Sequence, residues 1–158
     1  MLDSRGFRTN VGIVLLNNSY QVLWAKCTDK NIWQFPQGGI NENESPIDAM
    51  YRELYEEIGL KPNEVKVLTQ TRNWLSYYLP EKLIRYNTSS EQLCVGQTQK
   101  WFLLKLCASD RHITLDSAEH QEFECFNWVS YWYPLGNVVF FKRDVYRQVL
   151  KEFALTLC

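Results

Sequence analysis

Histidine is nearly absent from this 158-residue chain: His112 and His120 are the only two. His120 stands close to Glu122 but is disfavoured as a catalytic group. The five cysteines, Cys27, Cys94, Cys107, Cys125 and Cys158, are odd in number and form no Cys-x-x-Cys pair. That argues against a disulfide framework and against structural zinc. Cys107 closes an apolar run and is expected as core filler. No apolar stretch approaches membrane-spanning length, and Met1–Arg8 lacks the apolar segment of a secretory signal. A reducing cytoplasm is therefore the expected compartment. There is no basic excess either, since 17 Lys and Arg face 18 Asp and Glu for a net charge of −1. Sequence-independent binding to duplex DNA is excluded on that ground. Contact with one short polyphosphate end is not, because bound metals supply local positive charge. No repeat or low-complexity tract appears.

What is present is ordinary globular material, 46% apolar and 22% charged. One domain is expected, and a chain of this size buries about 68–70% of its unfolded surface. Short apolar runs at Val11–Leu16 and Gln21–Lys26, joined by Asn17-Asn18-Ser19, predict a hairpin. Trp33–Phe35 leads into a Pro36–Gly39 loop. Val65–Trp74 and Gln97–Leu106 read as strands, Asn127–Val129 as a short one. Pro80–Gln92 and Asp110–Glu119 read as polar loops. Lys142–Leu155 reads as a closing helix with Val145, Val149, Leu150 and Phe153 on one face. Trp33, Trp74, Trp101, Trp128 and Trp132 are expected mainly in the core.

The densest signal is the helix that follows Gly38-Gly39. Ser45-Pro46 reads as N-cap and first helical residue, and Gly59 as the residue that stops it. Ile47, Met50, Tyr51, Leu54 and Ile58 make one apolar stripe. Glu53, Glu56 and Glu57 stand at i, i+3 and i+4 on another arc, so three like charges share a face. Arg52 offsets only part of their repulsion. A solvated acidic face is the plain reading. A hard divalent cation shared with substrate phosphates is the alternative.

The full pattern is Gly38, five residues, Glu44, seven residues, then Arg52-Glu53-Leu54-x-Glu56-Glu57-x-Gly59-Leu60. It resembles the Nudix box at every defining position. The resemblance implies an α/β fold, an α/β/α sandwich around a central mixed sheet, and a hydrolase of nucleoside diphosphate linkages using Mg²⁺ or Mn²⁺, two or more ions. It implies metal ligation by Gly38 (through its carbonyl), Glu53, Glu56 and Glu57, with Arg52 and Glu44 orienting loop and helix. Glu53 is the first choice for the base, with Glu57 and Glu122 as alternatives. Further segments, among them Trp33–Gly39, Arg72–Leu75, Gly96–Phe102, Trp128–Pro134 and Phe141–Tyr146, are similar to the bacterial RNA 5′-pyrophosphohydrolases, also described as dinucleoside polyphosphate hydrolases. That likeness runs over residues 6–153, as a single domain. It weakens at Lys26–Lys30, which is less basic than the Arg-rich stretch of that branch.

The same resemblance points to Glu122 as an added metal ligand or base, with Glu119 and Glu124 as register alternatives. It assigns Arg8 to substrate phosphates, Phe141 to stacking a nucleobase and Lys142 to assisting it. Gln37, Gln97 and Lys100 are further candidates for lining the cleft. Val138–Phe141 reads equally as core, and Lys100 equally as surface. The expected partner is a 5′-phosphorylated RNA end or a dinucleoside polyphosphate, with room for a protein activator and none for a membrane. A catalytically silent nucleotide-binding module is the non-enzymatic alternative, disfavoured because no box glutamate is lost.

Overall fold

The computed structural model describes residues 1–87 and 92–158. Strand β1 (Phe7–Leu16) lies at the centre of a mixed sheet, because Val11 and Ile13–Leu16 are wholly buried on both faces. Its hairpin partner β2 (Val22–Cys27) runs antiparallel to it. Two short strands follow, β3 (Trp33–Gln34) on β2 and β4 (Gln37–Gly39) on β1. The predicted Pro36–Gly39 loop is therefore partly a strand, its backbone groups satisfied by β1.

Helix α1 (Pro46–Ile58) has the expected ends. The Ser45 Oγ accepts the Asp48 N–H at 3.2 Å, and Gly59 takes the left-handed conformation at φ 72°. Met50, Leu54 and Ile58 are buried as read, but Ile47 is 43% exposed and Ala49 is buried in its place. The apolar stripe is thus rotated slightly from the sequence reading in its first turn.

Strand β5 (Val65–Gln70) stops short of the predicted Trp74. At its end the Thr71 N–H still donates to the Trp101 carbonyl at 2.9 Å, but its Oγ1 takes the place of its carbonyl and accepts the Trp101 N–H at 3.1 Å. A separate strand β6 (Leu75–Tyr78) follows. The stretch read as a loop at 80–92 contains β7 (Arg85–Asn87), paired with β8 (Gln92–Cys94); residues 88–91 of it lie outside the described residues. The long strand β9 (Gly96–Leu106) pairs parallel with β1 and antiparallel with β5 and β6.

Strand β10 (Phe123–Val129) is longer than predicted and pairs with β2. A short helix α2 (Tyr133–Asn137) precedes a 3₁₀ turn at Phe140–Lys142 and helix α3 (Arg143–Leu157). The main path across the sheet is β10-β2-β1-β9-β5. One core lies under α1 and gathers Val11, Ile13, Leu15, Phe102 and Leu104. The other lies under α3 and gathers Val14, Trp101, Leu103, Val149 and Phe153. Trp101 and Trp24 fill the second core, whereas Trp74 and Trp132 are exposed, contrary to expectation. Cys107 is exposed too, because it follows the last residue of β9. Among the described residues no helix is long and apolar enough to cross a membrane.

Candidate active site

The site forms where α1 crosses β4. Gly38 pairs with Val11 on β1, and a Cβ added to Gly38 would overlap the Glu53 carboxyl. Glycine here is a matter of close approach: it lets the acid reach the strand backbone. Glu57 lies one turn on, and its Oε2 accepts the Gln37 N–H at 3.2 Å. Glu53 and Glu57 are 8% and 7% exposed, an unusual burial for two carboxylates. Burial raises the Glu57 pKa well above the usual carboxylate range, with Glu53 and then Glu122 adding like-charge repulsion. Burial likewise raises Glu53, partly opposed by Arg52.

Arg52 is the hub of the loop and helix. It grips Glu44 with two nitrogens at 2.8 and 2.9 Å and donates to the Gly39 carbonyl at 2.7 Å. Its Nη1 also reaches Glu53 at 2.8 Å and Glu56 at 3.3 Å. The Arg52 hydrogen bonds hold the Glu44 carboxyl below the usual carboxylate range. Glu56 is thereby drawn towards Arg52, and among the described residues no three acid, histidine or cysteine side chains converge on one point. The donors still suit a hard cation. Two carboxylates are buried side by side with incomplete neutralisation, and the Gly38 backbone meets Glu53 without an intervening side chain.

Glu122 is exposed, and its carbonyl accepts the Thr28 N–H at 2.9 Å at the start of β10. A register shift between Phe123 and Cys125 turns Glu124 outward, where it binds Lys26 Nζ at 2.7 Å and the Asp29 N–H at 3.1 Å. Of the alternatives, Glu122 is thus the one whose charge reaches Glu57. Cys27, buried at the same place, has its thiol pKa raised by burial and then by Glu122.

Lys142 approaches this group from the 3₁₀ turn. It is 8% exposed, and its Nζ donates to Gln34 Oε1 at 3.1 Å. Burial lowers its pKa to about 8, against the pull of Cys27 and Glu122. Phe141 is half-buried and packs on Tyr77 with ring centroids 5.8 Å apart. The neighbouring Phe140 ring is 70% exposed and perpendicular to it. Arg8 is exposed and lies against Gly39. Lys100 is engaged elsewhere, donating to the Thr71 and Arg72 carbonyls at 3.0 Å each, which ties down the turn between β5 and β6.

Sequence reasoning singled out Gln37 and Gln97 but missed Asn10, Gln99 and Tyr77, which join them in one line of polar side chains. Asn10, Gln99, Gln97 and Tyr77 are linked through hydrogen bonds across β1, β4, β6 and β9. The available signal was the polar run Gln97–Lys100 ahead of the apolar Trp101–Leu104. At the far side, the Phe35 N–H donates to the buried Tyr146 hydroxyl at 3.1 Å, which fastens α3 to the segment leading into β4.

A family model for the NUDIX domain matches residues 6–149. The chain is 56% identical over 156 residues to a Shewanella denitrificans protein named RNA pyrophosphohydrolase, covering 99% of this chain and 90% of that one. A Shewanella oneidensis protein of the same name is 57% identical, with 99% and 88% covered. Among solved structures, the E. coli dihydroneopterin triphosphate pyrophosphohydrolase superposes with a TM-score of 0.69 at 17% identity, covering 92% of this chain and 98% of that one. A C. elegans Ap4A hydrolase complex gives 0.65 at 15% identity, covering 94% and 97%.

Proposed function

The chain belongs to the NUDIX domain family, and we propose that it is an RNA pyrophosphohydrolase acting on 5′-triphosphorylated ends. It removes pyrophosphate, or phosphates stepwise, and leaves a 5′-monophosphate that promotes decay of the transcript. The reading is carried by the 56–57% identity, over 156 residues, to relatives bearing that name.

The geometry supports it residue by residue. Glu53 and Glu57, with Glu56, Glu122 and the Gly38 carbonyl as further donors, hold Mg²⁺ or Mn²⁺ in this reading. A bound ion of that kind lowers the pKa of a water and neutralises charge on the phosphates. Glu53, braced by Arg52 at 2.8 Å, accepts the proton of the attacking water. The Gln37 N–H keeps Glu57 turned to the same side. Arg8 and Lys142 bring positive charge to the phosphates, and Phe141 offers a ring face to the first bases. Gln37 lines the floor, while Lys100 acts indirectly by holding the turn at Thr71–Arg72.

A dinucleoside polyphosphate is the second substrate to test, since the acids serve either phosphate chain equally. Purified enzyme with Mg²⁺ is assayed side by side on triphosphorylated RNA and on diadenosine tetraphosphate. Efficient release of pyrophosphate from RNA with poor dinucleotide turnover is expected. The reverse ranking would overturn the RNA reading and leave the metal chemistry intact.

A further inference from the structure

We propose that Trp101 and Gln99 are positioning residues: the buried indole N–H fixes which way round the Gln37 and Gln97 amides face, so that Gln97 presents its NH₂ to a phosphate oxygen of the substrate. The substrate in this statement rests on the pyrophosphohydrolase reading above.

An indole N–H donates and never accepts. The Trp101 Nε1 donates to Gln99 Oε1 at 3.1 Å, which makes that atom the carbonyl oxygen. The Gln99 NH₂ is then directed to Asn10 Oδ1 at 2.8 Å and Gln37 Oε1 at 3.4 Å. With its oxygen so engaged, Gln37 turns its NH₂ to Gln97 Oε1 at 3.4 Å. The Tyr77 hydroxyl donates to that same oxygen at 2.7 Å. The Gln97 carbonyl is therefore occupied twice, and its NH₂ has no protein acceptor among the described residues.

The two ends of this relay differ in environment, and that gives it direction. Trp101, Gln99 and Asn10 are 0%, 1% and 2% exposed, so water cannot compensate a reversed amide there. Gln97 and Gln37 are partly exposed. Gln97 adjoins Tyr77, whose ring packs on Phe141 and lies 5.9 Å from Lys142 Nζ. A phosphate oxygen accepts only. An NH₂ turned to it attracts, whereas a reversed relay would turn a carbonyl to it and repel. A core tryptophan in this way decides the sign of a dipole at the cleft. The relay meets the acid pair at Gln37, whose backbone N–H holds Glu57 while its side chain carries the polarity onward.

The test is a double-mutant cycle on triphosphorylated RNA with Mg²⁺. Trp101→Phe keeps a ring and removes the donor. It is expected to raise KM by roughly three- to tenfold, the worth of about one hydrogen bond, with kcat within about twofold. In a Gln97→Ala background the same substitution is expected to change nothing further. An unchanged KM for Trp101→Phe, or an equal rise with and without Gln97, would overturn the proposal. Should Trp101→Phe show no cooperative melting, Gln99→Leu runs the same cycle with the same two outcomes. Wild-type enzyme that ignores RNA would instead count against the substrate reading; the cycle is then run on the polyphosphate substrate it does turn over, and is decided there in the same way.

Discussion

The Glu53 carboxyl occupies the space that a side chain on residue 38 would fill. Any substituent at Gly38 must push the acid off the strand. Gly38→Ala is expected to lower kcat/KM by about a hundredfold, the order associated with misplacing a reacting group by about 1 Å. Turnover and circular dichroism of the variant are measured together. A near-normal rate would show that Glu53 does not work from this position.

Glu53→Gln and Glu57→Gln should separate stability from activity. Each is expected to reduce turnover by roughly a thousandfold, within the range for loss of a positioned base or ligand. In metal-free solution at neutral pH, Glu57→Gln is expected to melt higher, by about 2–4 °C for each ~1 kcal/mol relieved. The reason is that burial beside Glu53 raises the Glu57 pKa, so above the ordinary carboxylate range folding carries the cost of protonating that group or of burying its charge. Thermal melts without divalent ions check it, and a lower melting point would mean that the Glu57 carboxyl stabilises the fold on balance.

Lys142 makes a pH prediction whose sign follows from its burial. Its folded pKa, about 8, lies below the ordinary lysine value of 10.5, so the native state holds fewer protons than the unfolded chain between those pH values. Stability therefore rises from pH 8 towards 10.5, while the positive charge at the cleft is lost. The kcat/KM for RNA is expected to fall above about pH 8 in the wild type. Lys142→Arg, which stays charged, is expected to lose that limb. An identical limb in both proteins would assign it to another group.

Phe141 and the exposed Phe140 are perpendicular neighbours, and substituting each in turn distinguishes a base platform from packing. Phe141→Ala is expected to raise KM for RNA by about 5- to 150-fold, the range for one lost base stack, with a smaller effect on a free nucleoside triphosphate. Equal losses on both substrates would make Phe141 a packing partner of Tyr77. A larger RNA-selective loss from Phe140→Ala would move the platform one residue.

The parts legible in the sequence were those written locally. The cap at Ser45, the stop at Gly59 and the shared face of Glu53, Glu56 and Glu57 all lie within one helix and its ends. The family box made their chemistry readable as well. Strand β6 was not legible, because Leu75–Tyr78 becomes a strand only by pairing with Gly96–Gln99. The polar relay was hidden for the same reason. Gln99 looks like any polar residue in a strand until Asn10 and Gln37 are brought beside it from other strands. The register shift at Phe123 likewise sets Glu124 against Lys26 and Asp29, and nothing in the acidic loop announces it.

The parallel pairing of β1 with β9 also bears on how the molecule is made. Asn10 and Gln99 meet across 89 residues of chain, the kind of contact that forms late and slowly. During synthesis the acid helix emerges long before the strand that completes the sheet beside β1. A nascent chain at that stage exposes an unfilled strand edge and cannot yet align its catalytic groups. Activity is therefore expected to arrive in one late step, and the interval before it is when this protein is most exposed to misassembly.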